Sequence, residues 1–123
     1  HPCFSGPLVL SADSGVSPFC YYGQFSRLAG ADPAIFTSFG GRFPFTEEVC
    51  RKICDGTETE MGGLRSIFPV PSGGMKWQLF KKMVQVYGPD AIFLVGGALL
   101  TESDDLTANM HFYFEKLNEA VNK

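Results

Sequence analysis

Two glycine pairs, Gly73-Gly74 and Gly96-Gly97, each stand directly behind a short apolar run. If those runs are parallel strands, the pairs sit beyond the strand carboxyl ends, where α/β proteins bind ligands. Glycine there lets a ligand approach the backbone and leaves amide N–H groups to donate. A helix start behind such a turn favours anions, phosphate above all. Glycine also simply makes tight turns, and the residues alone leave both readings open. Ser72, ahead of the first pair, could bond a substrate hydroxyl or cap the next helix; no Gly-x-Ser-x-Gly elbow surrounds it, which argues against a nucleophile. Gly40-Gly41-Arg42 follows a third apolar run and puts a cation on a loop. That is either a lid whose arginine clamps an anion or an exposed arginine on a flexible connection.

Other chemistry is sparse. The two histidines are His1, at the very start, and His111, inside a helical pattern, where a structural role is expected. Asp32, Glu47, Glu48, Asp104 and Asp105 cap or flank elements and gather into no carboxylate cluster for a divalent ion. The four cysteines, Cys3, Cys20, Cys50 and Cys54, match no disulfide framework and lack companion metal ligands. They read as reduced thiols used in packing, as expected of a cytoplasmic protein.

The elements that must position these residues alternate. Ser17-Pro18 opens a helix expected to run through Tyr21, Phe25 and Leu28 to about Gly30. A strand follows over 33–36. Thr46 caps a helix carrying Glu47 and Glu48 in its first turn and expected to stop before Gly56. Residues 66–71 read as a strand whose two prolines imply a strand end or a locally broken ladder. A helix spans 76–87 and stops at Gly88-Pro89. Residues 91–95 are apolar on both sides, as in a buried parallel strand. A last helix begins near 103–105 with a buried stripe of Leu106, Met110, Tyr113, Phe114, Leu117 and Val121. Three strands linked by helical crossovers make either a small open α/β sheet or part of a barrel, and a complete barrel typically takes about 250 residues.

The chain has 123 residues, 45% of them hydrophobic, with 12 Phe and a formal net charge of -3. That suits one globular unit, 1–123, with an aromatic-rich core. The mildly acidic balance, without a Lys/Arg face, argues against nucleic acid as a partner. No apolar run is long enough for a membrane helix, and the opening His1-Pro2-Cys3 has no leader character. With no initiator Met, residues before His1 are expected to be missing.

The segments Phe68-Pro-Val-Pro-Ser-Gly-Gly-Met75, Tyr87-Gly-Pro-Asp90 and Ile92-Phe-Leu-Val-Gly-Gly97 resemble the C-terminal barrel of the RuBisCO large-subunit superfamily. Leu28-Ala-Gly-Ala-Asp32 and Gly40-Gly-Arg-Phe-Pro-Phe45 look like the RuBisCO-like (type IV) proteins in particular. His1-Pro2-Cys3-Phe4-Ser5-Gly6 looks like the end of the fifth barrel strand. The resemblance implies an α/β fold: strands six to eight of a (β/α)8 TIM barrel, parallel, with their helices. It implies a Mg2+ enzyme acting on a phosphorylated sugar or sugar acid through an enediolate, by enolase, isomerase or transcarboxylase/decarboxylase chemistry. It further implies a cytoplasmic homodimer. The metal ligands would precede residue 1. By resemblance, His1 takes part in proton transfer and Arg42 stands near the family's flexible-loop lysine. Ser72, Gly73 and Gly74 match the strand-seven substrate site, and Gly96 and Gly97 the strand-eight phosphate site.

Departures also show. Pro2 replaces an arginine of true carboxylases, Ile35-Phe36-Thr37 lacks their strand-six histidine, and Arg42 is not interchangeable with lysine. Ribulose-bisphosphate carboxylation is therefore the runner-up among enzymes. A non-catalytic phosphate-ligand-binding module is the alternative from another class. The chain on its own is expected to be inactive.

Overall fold

The computed structural model describes residues 1–2, 6–11 and 13–122. A short helix, α1 (Gly6–Val9), leads to a π-helical turn (Phe19–Gln24) that continues as α2 (Phe25–Leu28). Then come β1 (Pro33–Thr37), α3 (Glu47–Glu58) and β2 (Phe68–Ser72). A 3-10 turn (Trp77–Leu79) opens α4 (Phe80–Tyr87), and α5 (Gly97–Leu100) and α6 (Leu106–Val121) close the chain. The alternation expected from the sequence is present. The expected fifth-strand end falls partly on Cys3, Phe4 and Ser5, outside the described residues; His1 and Pro2 are not in a strand.

β1 and β2 pair in parallel, with Pro33 opposite Phe68 and Thr37 opposite Ser72. Phe68 donates to the Asp32 carbonyl at 2.9 Å. In a parallel ladder the N–H and C=O of one residue face the same neighbour, so Phe68, Val70 and Ser72 serve β1. Pro69 and Pro71 face the other way, toward residues 91–95. Their carbonyls accept from Ile92 (3.0 Å) and Leu94 (3.1 Å), but proline returns no N–H. The third strand is therefore held by half a ladder and is not a regular strand. The broken ladder implied by the two prolines lies on this side alone. This segment is also not buried on both faces: Phe93 and Val95 pack on the core, whereas Ile92 and Leu94 are each 48% exposed.

The helix layer covers one face of the sheet. Phe36, Ile53, Phe80, Met83 and Tyr87 are buried between them, with Phe36 and Tyr87 edge-to-face at 5.8 Å between centroids. Thr46 caps α3 as expected, accepting from the Val49 amide at 3.2 Å. α3 does not stop before Gly56 but runs on to Glu58. Gly56 is there because α3 crosses the π-helical turn backbone to backbone: a Cβ added to Gly23 would lie 2.4 Å from the Gly56 carbonyl carbon. The first helix starts where Ser17 accepts from the Cys20 amide, although its first turns are π-helical and not α-helical.

Arg27 is buried and donates to the carbonyls of Thr59, Leu64 and Arg65, tying α2 to the segment after α3. Asp105 caps α6 through the Ala108 amide at 2.9 Å. The stripe expected on α6 is only partly buried. Tyr113 is buried, and Leu117 packs at the core's edge. Leu106, Met110, Phe114 and Val121 are exposed, because α4 and α5 cover one side of α6 and, among the described residues, nothing covers the other. His111 lies on the exposed side as well.

Candidate functional site

Because β1 and β2 are parallel and in register, both end at one edge, and a cleft of about 450 Å³ opens there. Its walls include His1, Thr37, Arg42, Phe43, Ser72 and Gly73. The turn behind β2 has φ +90° at Gly73 and +88° at Gly74, values that side chains bearing a Cβ rarely adopt. Ser72 holds the strand ends together: its Oγ donates to the Phe36 carbonyl at 3.0 Å, and its own carbonyl accepts from the Ser38 amide at 2.8 Å. In this conformation its hydroxyl braces β1 and does not cap α4.

The loop after β1 folds back over that turn. The Arg42 amide donates to the Gly73 carbonyl at 3.4 Å. Gly41 passes so close that an added Cβ would lie 2.2 Å from the Gly73 oxygen. Arg42 itself is exposed, its guanidinium 5.4 Å above the Phe43 ring. A cation on a loop seated over a glycine turn can clamp an anion without being buried.

Buried partners fix the base of this loop. Ser38 Oγ and Tyr87 OH are 2.8 Å apart, and Ser38 Oγ also donates to the Phe39 carbonyl. The Cys50 thiol donates to the Thr37 carbonyl at 3.5 Å. Burial raises the Tyr87 hydroxyl and the Cys50 thiol above their ordinary pKa values, and it pushes Cys54 up to about 12. These groups are neutral and unreactive near pH 7, consistent with structural thiols. Cys20, Cys50 and Cys54 are all free; Cys3 lies outside the described residues.

The structure thus brings His1, Arg42, Ser72 and Gly73 to one cleft, with Gly74 completing the turn. Gly96 and Gly97 stand at the same end of the sheet, behind a segment parallel to β2, but they do not line this cleft. An added Cβ would meet nothing within 4 Å at either of them. Sequence reasoning had no role for Thr37 or Phe43, which also line the cleft. The place of Thr37 as the last residue of its strand was the available signal. Among the described residues, no group of three His, Cys, Asp or Glu side chains could hold a metal ion. Among the described residues, no helix is long and apolar enough to cross a membrane.

Parallel strands each followed by a helix, with a cleft at their carboxyl ends, define an α/β unit that fits an open sheet or a segment of a (β/α)8 barrel. Comparison with known proteins takes this further. The chain is 39% identical, over 87% of its length, to 5-methylthioribulose-1-phosphate isomerase of Rhodospirillum rubrum, of which it covers 27%. It is 30% identical, over 98% of its length, to 2,3-diketo-5-methylthiopentyl-1-phosphate enolase of Exiguobacterium sibiricum, of which it covers 30%. The crystal structure of a RuBisCO-like protein from Alicyclobacillus acidocaldarius superposes with a TM-score of 0.84 at 28% identity, over 95% of this chain and 29% of that one. No family model matches. The chain belongs to the RuBisCO-like proteins and corresponds to the C-terminal part of their barrel. It spans less than a third of the length of these relatives.

Proposed function

We propose that this chain is the phosphate-gripping side of an enzyme that enolises or isomerises a phosphorylated sugar or sugar-acid derivative through an enediolate. The observation that carries the reading is the cleft where Arg42 and the Gly73-Gly74 turn face one another across the ends of two parallel strands. The likeness to proteins named as an isomerase and an enolase of methylthio-sugar phosphates supports it.

In this reading Gly73 and Gly74 let a ligand approach the backbone closely, and the Ser72 hydroxyl can turn from Phe36 to a substrate oxygen. Arg42 closes over an anionic group, and His1 moves a proton at the edge of the cleft. Gly96 and Gly97, with open space where a side chain would project, offer amide donors to a phosphate ester. The same reading includes Mg2+, which would polarise substrate oxygens, and a cytoplasmic dimer with lyase or isomerase activity. The described residues do not fit a Mg2+ site, so no step is assigned to the ion here, and its ligands belong to the part of the relatives that this chain does not span.

Carboxylation of ribulose bisphosphate fits less well, given Pro2 and the absence of a histidine from Ile35-Phe36-Thr37. A phosphate-binding module without catalysis is the second reading, resting on the same cleft. The test is to incubate the full-length protein and Mg2+ with 5-methylthioribulose 1-phosphate and with ribulose 1,5-bisphosphate, following each by phosphorus NMR. Conversion of the first is expected. Binding without turnover would favour the module, and neither binding nor turnover would overturn the proposal.

A further inference from the structure

We infer that Thr37 is a ligand-contacting residue that helps set specificity in the cleft, its hydroxyl bonding a hydroxyl or carbonyl oxygen of the ligand. This rests on the functional reading above and adds a residue to it. Thr37 ends β1, stands in register with Ser72 and lines the cleft. Among the described residues its Oγ1 is the one buried side-chain oxygen or nitrogen without a hydrogen-bond partner. Neighbouring hydroxyls are all engaged: Ser38 with Tyr87 and the Phe39 carbonyl, Ser72 with the Phe36 carbonyl.

An unpaired buried hydroxyl is unfavourable, and such atoms in native structures usually have an explanation outside the protein's own bonds. Thr37 for packing alone would be better served by valine, which has the same shape and no hydroxyl. The Thr37 methyl, Cγ2, is 4.0 Å from where a Cβ on Gly73 would stand, so it faces the glycine turn. Threonine occupies staggered rotamers. One step of about 120° carries the hydroxyl to the place the methyl now holds, facing the turn, and moves the methyl to the place of the hydrogen. A hydroxyl both donates and accepts, so it suits a neutral ligand oxygen, whereas the guanidinium of Arg42 suits an anion.

The experiment measures binding of 5-methylthioribulose 1-phosphate and of ribulose 1,5-bisphosphate to the full-length protein by calorimetry, for wild type, Thr37→Val and Thr37→Ser. Valine should weaken binding about tenfold, the loss of one hydrogen bond, with the melting temperature of the free protein unchanged or higher. Serine should restore affinity to within about threefold of wild type. Unchanged affinity in Thr37→Val overturns the inference. So does a serine variant as weak as the valine one, which would place the effect in packing, or a clear drop in the melting temperature of Thr37→Val, which would mean a structural partner. Wild type that binds neither probe overturns the functional reading and this inference together; wild type that binds while valine changes nothing overturns this inference alone.

Discussion

Gly41 and Gly73 meet backbone to backbone: a Cβ on Gly41 would stand 2.2 Å from the Gly73 carbonyl oxygen. No rotamer relieves a clash between a Cβ and a main-chain oxygen, so any side chain at 41 must displace the loop, the turn or both. The contact seats Arg42 over the cleft.

Gly41→Ala is therefore expected to leave the protein folded and to lower kcat/KM or ligand affinity by about 10²-fold, the cost of roughly an ångström of misplacement at a site. Steady-state kinetics or calorimetry on the full-length protein checks this. An alanine variant with wild-type affinity and turnover would show that the loop need not sit on the turn.

The Ser38–Tyr87 pair makes a second prediction. Each hydroxyl is buried, and they stand 2.8 Å apart. Removing one leaves the other short of a partner, so Ser38→Ala and Tyr87→Phe should each cost about 1–3 kcal/mol. The double variant should cost less than the sum, with a coupling of about 0.5–3 kcal/mol. Denaturant unfolding of the four proteins decides the matter, and strict additivity would remove the pair from the account of how the loop base is held.

Alkaline stability follows from Cys54. Its thiol is raised from 9.0 to about 12, chiefly by burial and then by the Cys50 thiol beside it. Since the folded protein holds this proton more tightly than the unfolded chain, the contribution to stability is full below about pH 9. It is lost progressively as the pH rises toward 12. Cys50 is raised in the same sense. Melting temperatures should fall from pH 9 upward, and Cys54→Ala should flatten that fall. The same slope in both proteins would assign it to other groups.

The fold was largely legible in the chain itself. Alternating apolar runs and amphipathic stretches, Thr46 with two glutamates behind it, and Gly88-Pro89 after a helical face mark elements through local chemistry, which needs no distant partner. Pro69 and Pro71 announced a broken ladder for the same reason: a missing N–H is a property of the residue. Which side of β2 the break falls on depended on which neighbour those positions face, and that is a matter of register. The burial of 91–95 and of the α6 stripe was overstated, because periodicity marks a face as apolar without saying whether anything in the chain covers it.

For the site, the types and spacing of residues pointed to Arg42, Ser72, Gly73 and Gly74, since glycine behind a strand and a cation on a following loop are visible in one dimension. Only the tertiary structure joined Gly41 to Gly73, put Thr37 opposite Ser72 with its hydroxyl unpaired, and left Gly96 and Gly97 outside the shared cleft. These are distances between segments far apart in sequence. They are fixed by strand register and by how helices pack across the sheet, and neither is encoded in any single stretch of the chain.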